Sequence, residues 1–440
     1  LSVNLDVSVN INELSVGVGS TLVLDPARFI TLTGDLTNNG FISINPTAST
    51  SNSSVTFNSN ATINGNGILR LEGGSGADAA LFTNSTTVTN SLGHTIDGAG
   101  NIPAALINNG VVSAIDTGFG NVLLLNTAAK TNNLNMQAGP GAVLEFSGIT
   151  LTQDPAATVS ANSGGTVRFT GSNTVNGGRF VGPGVFIKPT SGNLSLSDVS
   201  IEQDLVVEPA AGVIYNSVAL NCTSTITLND TGSTSNSFIQ FNANTTVSGG
   251  GTFFLAGSGN DSQITTNSTT LTTTPGFTIE GSGDLAASLV NNGLVRAFPS
   301  ANGNGRLRLI SNSKTNNSII RADTGGTIEI NGITVTNGPG GIIVADGGHI
   351  DLVSSQTING GVLRAINGGT IVKPTSGNIS LNDVSLQGDL EVLPAAGVIY
   401  NSTAFACQGT ITLNDTNSTS NSFIQFNANT TATGGGRIFL

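Results

Sequence analysis

Residues 325–348 read GGTIEINGITVTNGPGGIIVADGG. Three short apolar segments, TIEI, ITVT and GIIVA, are parted by Asn-Gly, Pro-Gly-Gly and Gly-Gly. In TIEI and ITVT the β-branched apolar residues fall on alternate positions, which sends every second side chain to one face, as in a strand. One such stretch holds strands and turns and nothing with a helical period. GGTVRFTGSNTVNGG, from Gly164 to Gly178, has the same build.

Working outward, segments of this kind recur at a regular pace. In the middle of the chain they start near Val213, Phe238, Ile264, Leu289, Leu307, Ile328, Ile350, Ile371 and Val398. Earlier starts fall near Phe29, Val55, Leu81, Leu106, Leu123, Leu144, Val167 and Phe186. A turn of about 20 to 25 residues with two or three short strands is one coil of a parallel β-helix, each coil burying its faces only against its neighbours. Twelve Asn-Gly dipeptides, such as Asn109-Gly110, Asn331-Gly332 and Asn359-Gly360, supply corners. Both residues tolerate positive φ. Asn108-Asn109-Gly110 and Asn291-Asn292-Gly293 occupy equivalent corners. Stacked coils therefore predict ladders of asparagine along the axis.

A longer repeat overlies the coils. Residues 185–255 align without a gap on 370–440, with 51 identities in 71 positions. Earlier matches have drifted further: HTIDGAG from His94 answers FTIEGSG from Phe277, and AKTNN ending at Asn133 answers SKTNN ending at Asn317. The offset stays between 183 and 185 residues. The expected fold is all-β: a parallel β-helix (solenoid) of roughly 18–19 coils, built from units of about 185 residues and eight coils each. Residues 1–440 read as one continuous solenoid: 1–28 the end of a preceding unit, 29–212 a first unit, 213–397 a second, and 398–440 the start of a third. The chain begins without Met and stops inside a repeat, which reads as a piece of something longer. A string of β-sandwiches is the competing fold. Those modules run to about 100 residues and often centre on a Trp, which this chain lacks.

Composition agrees. Gly numbers 58 of 440, and charged residues are 9% against a usual quarter. Hydrophobic residues are 38%, too many for a disordered chain. The net charge of −12, with 14 scattered Lys and Arg, argues against a nucleic-acid partner. No apolar run reaches the length of a membrane span.

The two quoted stretches resemble β-helical repeats of large bacterial surface and secreted proteins, among them autotransporter-type adhesins and exosortase-sorted repeat proteins. The resemblance covers nearly the whole chain and reflects coil geometry rather than a site. It implies secretion, a right-handed parallel β-helix, and a role in adhesion, matrix or filament building.

Candidate chemistry is sparse. Asp198, Glu202, Asp204 and Glu208 form the densest acidic stretch, and their counterparts are Asp383, Gln387, Asp389 and Leu393. Half the acids vanish while the surroundings barely change. That reads as a solvated face rather than the paired carboxylates of a glycosidase or a Ca²⁺ site. His94 aligns with Phe277 and reads as a partly buried structural residue. No histidine or cysteine pair, His349 included, has metal-ligand spacing. Cys222 and Cys407 are one repeat apart and read as small buried residues. Lys130 with Lys314, and Lys188 with Lys373, recur in register and read as solvated side chains. GGSGADAAL from Gly73 resembles one Ca²⁺-binding nonapeptide, but such motifs work in runs, and a loop is expected. Sequons at Asn52, Asn84, Asn267 and Asn401 are expected by chance in so Asn-rich a chain. No catalytic, cofactor-binding or metal-binding residue is assigned.

The expected function is that of an extracellular or surface-displayed structural protein, forming or extending a stiff fibre or adhesive rod, and not an enzyme. The expected partners are further copies, head to tail or side by side, more of the same chain, and surface glycans. Two other classes remain: a polysaccharide lyase, hydrolase or tailspike-like enzyme, and a glycan-binding adhesin module. A spatial map of the Asp, Glu, Arg and His side chains discriminates, because an enzyme gathers them in one concave patch.

Overall fold

The computed structural model describes residues 1–47, 49–74, 78–374, 376–416 and 418–440. The protein is all-β, with about 19 turns of parallel β-solenoid. It contains two compact units, Leu1–Val206 and Val207–Leu440.

In the first unit each coil lays down three short strands, one in each of three parallel sheets. The first sheet runs from Ser2–Leu5 to Ser200–Ile201, the second from Val9–Ile11 to Val185–Lys188, and the third from Leu14–Val16 to Asn193–Ser197. Thr166–Thr170, Asn173–Asn176 and Arg179–Val181 make one such coil. The β-branched and aromatic residues that favour pleated strands alternate inward and outward, as in Val167 and Phe169 against Thr166, Arg168 and Thr170. Register preserves like over like: Leu144 pairs with Val167 and Phe146 with Phe169. Inward rings stack in a column, Phe146 on Phe169, Phe169 on Phe180 and Phe180 on Phe186, with centroids 5.3, 5.4 and 5.0 Å apart. Burial of these side chains between coils is the main source of cohesion.

The second unit has the same plan. Its second sheet runs from Gly212–Tyr215 to Arg437–Phe439, its third from Ala219–Asn221 to Phe423–Phe426, and its first from Thr225–Leu228 to Thr431–Thr433. Its aromatic column carries Tyr215, Phe241, Phe253 and Phe277.

One corner is turned without a loop. Thr95–Ile102 is a single strand whose beginning pairs in the first sheet and whose end pairs in the second. The bend falls at Gly98, φ 118°, where a Cβ would lie 1.9 Å from the carbonyl oxygen of Leu71. Its counterpart is split into Thr278–Gly281 and Gly283–Leu285. The Asn-Gly corners divide by cause. Gly177, Gly332 and Gly360 have positive φ, as expected. Gly110 instead packs so tightly that a Cβ would lie 2.2 Å from His94 O.

The long repeat and the coil are out of phase. Gly212–Tyr215 lies in the second sheet, paired with Ser237–Phe241. Its copy Gly397–Tyr400 lies in the third, paired with Asn378–Asn382 and Phe423–Phe426. The same shift carries Ala219–Asn221 of the third sheet to Ala404–Cys407 of the first. Eight coils and one further strand therefore separate equivalent residues. The regular pace in the sequence gives eight because it changes sheet. Ile371 belongs to the second sheet, whereas the next start, Val398, belongs to the third, so the extra strand is absorbed at that step.

Candidate functional surface

The inward rows are not wholly apolar, and their polar members are bonded along the axis. Asn90 Nδ2 donates to Asn108 Oδ1 at 2.8 Å, Asn108 Nδ2 to Asn132 Oδ1 at 3.0 Å, and Asn132 Nδ2 to Gln153 Oε1 at 3.0 Å. The second unit repeats the ladder through Asn291, Asn316 and Asn337 at 2.9 and 2.8 Å. Every amide is buried. An outer ladder also exists, Asn133 Nδ2 donating to Asn109 Oδ1 and Asn317 Nδ2 to Asn292 Oδ1.

His94 is fully buried and continues the inner ladder. Its Nε2 lies 3.1 Å from Asn38 Nδ2 and its Nδ1 2.7 Å from Asn90 Oδ1. An amide nitrogen only donates, so Nε2 accepts and the proton sits on Nδ1. Burial pushes this imidazole down to about 4. The ring is thus a neutral structural link. His349 is exposed, with Nδ1 2.6 Å from Thr370 Oγ1.

All four lysines are buried, which corrects the expectation of solvated side chains. Lys130 Nζ donates to the carbonyls of Asn126 and Ala128, and Lys314 Nζ to those of Ile310 and Asn312. Lys188 and Lys373 cap their own corners in the same way, through Ser191 O and Ser376 O. Each aliphatic stem fills an inward position while its head satisfies corner carbonyls. Burial lowers Lys130 and Lys314 to about 7, and Lys373 to about 8.

Members of the acidic stretch and their copies serve in local bonds and corners. Glu202 takes two hydrogen bonds from Arg179, at 2.8 and 2.5 Å, and that pairing lowers its pKa and raises that of the arginine. Asp198 and Asp383 occupy positive-φ corners. Asp389 Oδ1 accepts from the Thr410 amide at 2.7 Å. Cys222 and Cys407 are buried thiols, and burial raises Cys407. The Gly73 nonapeptide includes residues 75–77 and lies outside the described residues. The four sequon asparagines are exposed.

A cluster that sequence reasoning missed lies in the second unit. Arg308 grips Asp284 at 2.6 and 2.8 Å, and Arg306 reaches Glu329 at 2.5 Å and Asp351 at 3.1 Å. Burial raises Asp284, with Arg308 opposing. The signal was present in the alternation of RLRL over TIEI and HIDL, which places charge above charge. Among the described residues no group of three or more His, Cys, Asp and Glu could hold a metal.

Arg70–Asp97, Arg168–Glu145 and Arg179–Glu202 of the first unit, and the arginine–carboxylate pairs of Arg296, Arg306, Arg308 and Arg321 in the second, lie on the first and second sheets. The third sheet is different. Its strands in the two units contain two charged residues, Lys130 and Lys314, both turned inward. Outward, the first unit stacks Thr62, Thr89, Ile107, Thr131, Thr152 and Asn176 in register. The second stacks Thr246, Thr272, Val290, Thr315, Thr336 and Asn359. Shallow depressions lie on both, one lined by Thr62, Thr87 and Thr89 with Asp35 at its rim, the other by Thr334, Thr357 and Ser380.

Comparison of the chain with known protein families, curated proteins and solved structures finds no match.

Proposed function

We propose that this chain is an extracellular structural protein, a stiff solenoidal spacer displayed on or secreted from a bacterial cell and extended by duplication. The observation that carries the reading is what duplication keeps. The inner asparagine ladder, the lysine-capped corners and the arginine tie recur in both copies. The Asp284–Arg308 pair does not, since Asn101 and Leu124 stand at the matching places. Copying has preserved what stacks coils, and stacking adds length. Charge-poor, Asn- and Thr-rich coils also suit display outside the cell, as in the surface proteins the repeats resemble.

The test is an in-frame insertion of one further 185-residue copy, imaged by electron microscopy. Rods lengthened by about 40 Å are expected, from coils about 4.8 Å apart. An unchanged length overturns the reading.

A second reading, a polysaccharide-acting solenoid enzyme, has one observation in its favour: the buried carboxyl of Asp284, raised by burial, beside Arg308 and near the carboxylates of Glu329 and Asp261. Against it, Arg308 occupies both oxygens of Asp284. Release of oligosaccharides from acidic or neutral polysaccharide, abolished by Asp284→Asn, would establish the enzyme and displace the spacer.

A further inference from the structure

We propose that the uncharged third sheet of each unit is a binding surface for neutral polysaccharide. This deepens the structural reading by giving the spacer something to hold, and it rests on that reading.

The case begins with what the face excludes. Anionic polymers, nucleic acid or acidic glycan, are held by Lys and Arg. Here the only two cations in the strands point inward, their ammonium groups spent on backbone carbonyls. A protein partner is anchored by aromatic side chains, Met or Arg packed at the centre of the contact. The outward rows hold Thr and Asn with one aliphatic residue each, Ile107 and Val290, at equivalent places in the two copies.

What the face offers is equally specific. The hydroxyls of Thr62, Thr89, Thr131 and Thr152 make no hydrogen bond within the protein among the described residues, and they repeat at the spacing of coils, about 4.8 Å. A hydroxyl donates and accepts, and so does a sugar hydroxyl. The threonine methyls, with Ile107 and Val290, face the apolar C–H surface of a pyranose. No aromatic ring stands in these two rows (the exposed Phe423 lies beyond them, on the last strand of the second unit's third sheet), so each contact within the rows is weak. Strength comes from many contacts along one polymer, and affinity must rise with ligand length. With few charges on the face, binding must also be insensitive to salt.

The experiment is affinity electrophoresis of the full chain through gels holding a neutral β-glucan, a neutral galactomannan, a neutral α-glucan or polygalacturonate. Retention by at least one neutral polymer is expected, unchanged at high salt, and weakened at least tenfold by Thr131→Glu with Thr315→Glu. A hexasaccharide of the retaining polymer should compete poorly with the polymer itself. Thr166→Glu with Thr327→Glu, outward on the second sheet, should leave retention intact. Circular dichroism establishes that all variants fold. No retention by any neutral polymer, retention by polygalacturonate alone, or concentration-dependent self-association abolished by the third-sheet variants would each overturn the assignment. Cleavage of the retained polymer would instead strike at the structural reading and leave the surface standing.

Discussion

Arg364 donates two hydrogen bonds to Gln387 Oε1, at 2.9 and 2.6 Å, in the place where Arg179 holds Glu202. The carboxylate of one copy is an amide in the other, and the bridge between coils survives. Exposed ion pairs contribute little, typically under about 1 kcal/mol. Glu202→Gln should therefore leave the thermal midpoint within about 2 °C of the parent by calorimetry. A collapse of that coil would show that the charge, not the tie, is what matters.

His94 makes stability depend on mild acid. The unfolded imidazole binds a proton near 6.5 and the folded one near 4, so between these values the unfolded state holds more protons. The contribution is complete above 6.5 and is lost as pH falls through the window, by an amount on the order of 3 kcal/mol. His94→Phe installs the residue that the other copy carries at Phe277. Denaturant midpoints between pH 4 and 7 should fall more steeply for the parent than for the variant.

The buried lysines act in the alkaline range. Unfolded lysine keeps its proton to about 10.5, whereas Lys130 and Lys314 release theirs near 7. Stability then climbs from pH 7 towards 10.5, and the contribution is absent below 7, where both states are protonated. Replacing both by Met should flatten the rise between pH 7 and 9.5, on the order of 3 kcal/mol per lysine. Parallel slopes for parent and variant would refute the assignment.

Inner and outer asparagine ladders should respond differently. Asn108→Ala removes the short bonds of Asn90 Nδ2 and Asn132 Oδ1, leaving the first with long contacts to the His94 and Val111 carbonyls and the second with one from the Leu134 amide. Losing such buried bonds costs about 1–3 kcal/mol in all. Asn133→Ala removes one exposed bond and should change stability by about 0.5 kcal/mol or less. Urea titrations of the two variants, compared at equal slope, make the contrast.

Glycine at the strand bend is obligatory. Gly98→Ala drives a methyl into the Leu71 carbonyl and should prevent folding or lower the midpoint by more than about 10 °C. Gly141→Ala, at φ 70° with open space around it, should cost only about 1 kcal/mol. Equal effects would mean that backbone strain, not the clash, sets the requirement.

Much of the fold was legible because coil geometry is written locally. Alternation in TVRFT and TIEI gave strands, and Asn-Gly gave corners. Other features depend on which way a side chain is turned, or on what lies a coil or more away. Nothing near Lys130 in the sequence shows that its ammonium reaches the Asn126 and Ala128 carbonyls, and a lone lysine between polar residues reads as solvated. His94 aligned with an apolar residue, which foretold burial, but its place between Asn38 and Asn90 needs partners 56 residues before it and four residues back. The uncharged face escaped because it is a property of nineteen strands together, each unremarkable alone.

The extra strand in each repeat makes the sequence period a screw. A marking carried once per copy moves on by a third of a circle at each repetition, and in a tandem array it faces the same way again only at every third copy, about 120 Å along. A protein lengthened by copying this segment gains reach and all-round presentation in the same step. Its markings wind about the axis like thread on a bolt, so such an array has no back to turn on its surroundings.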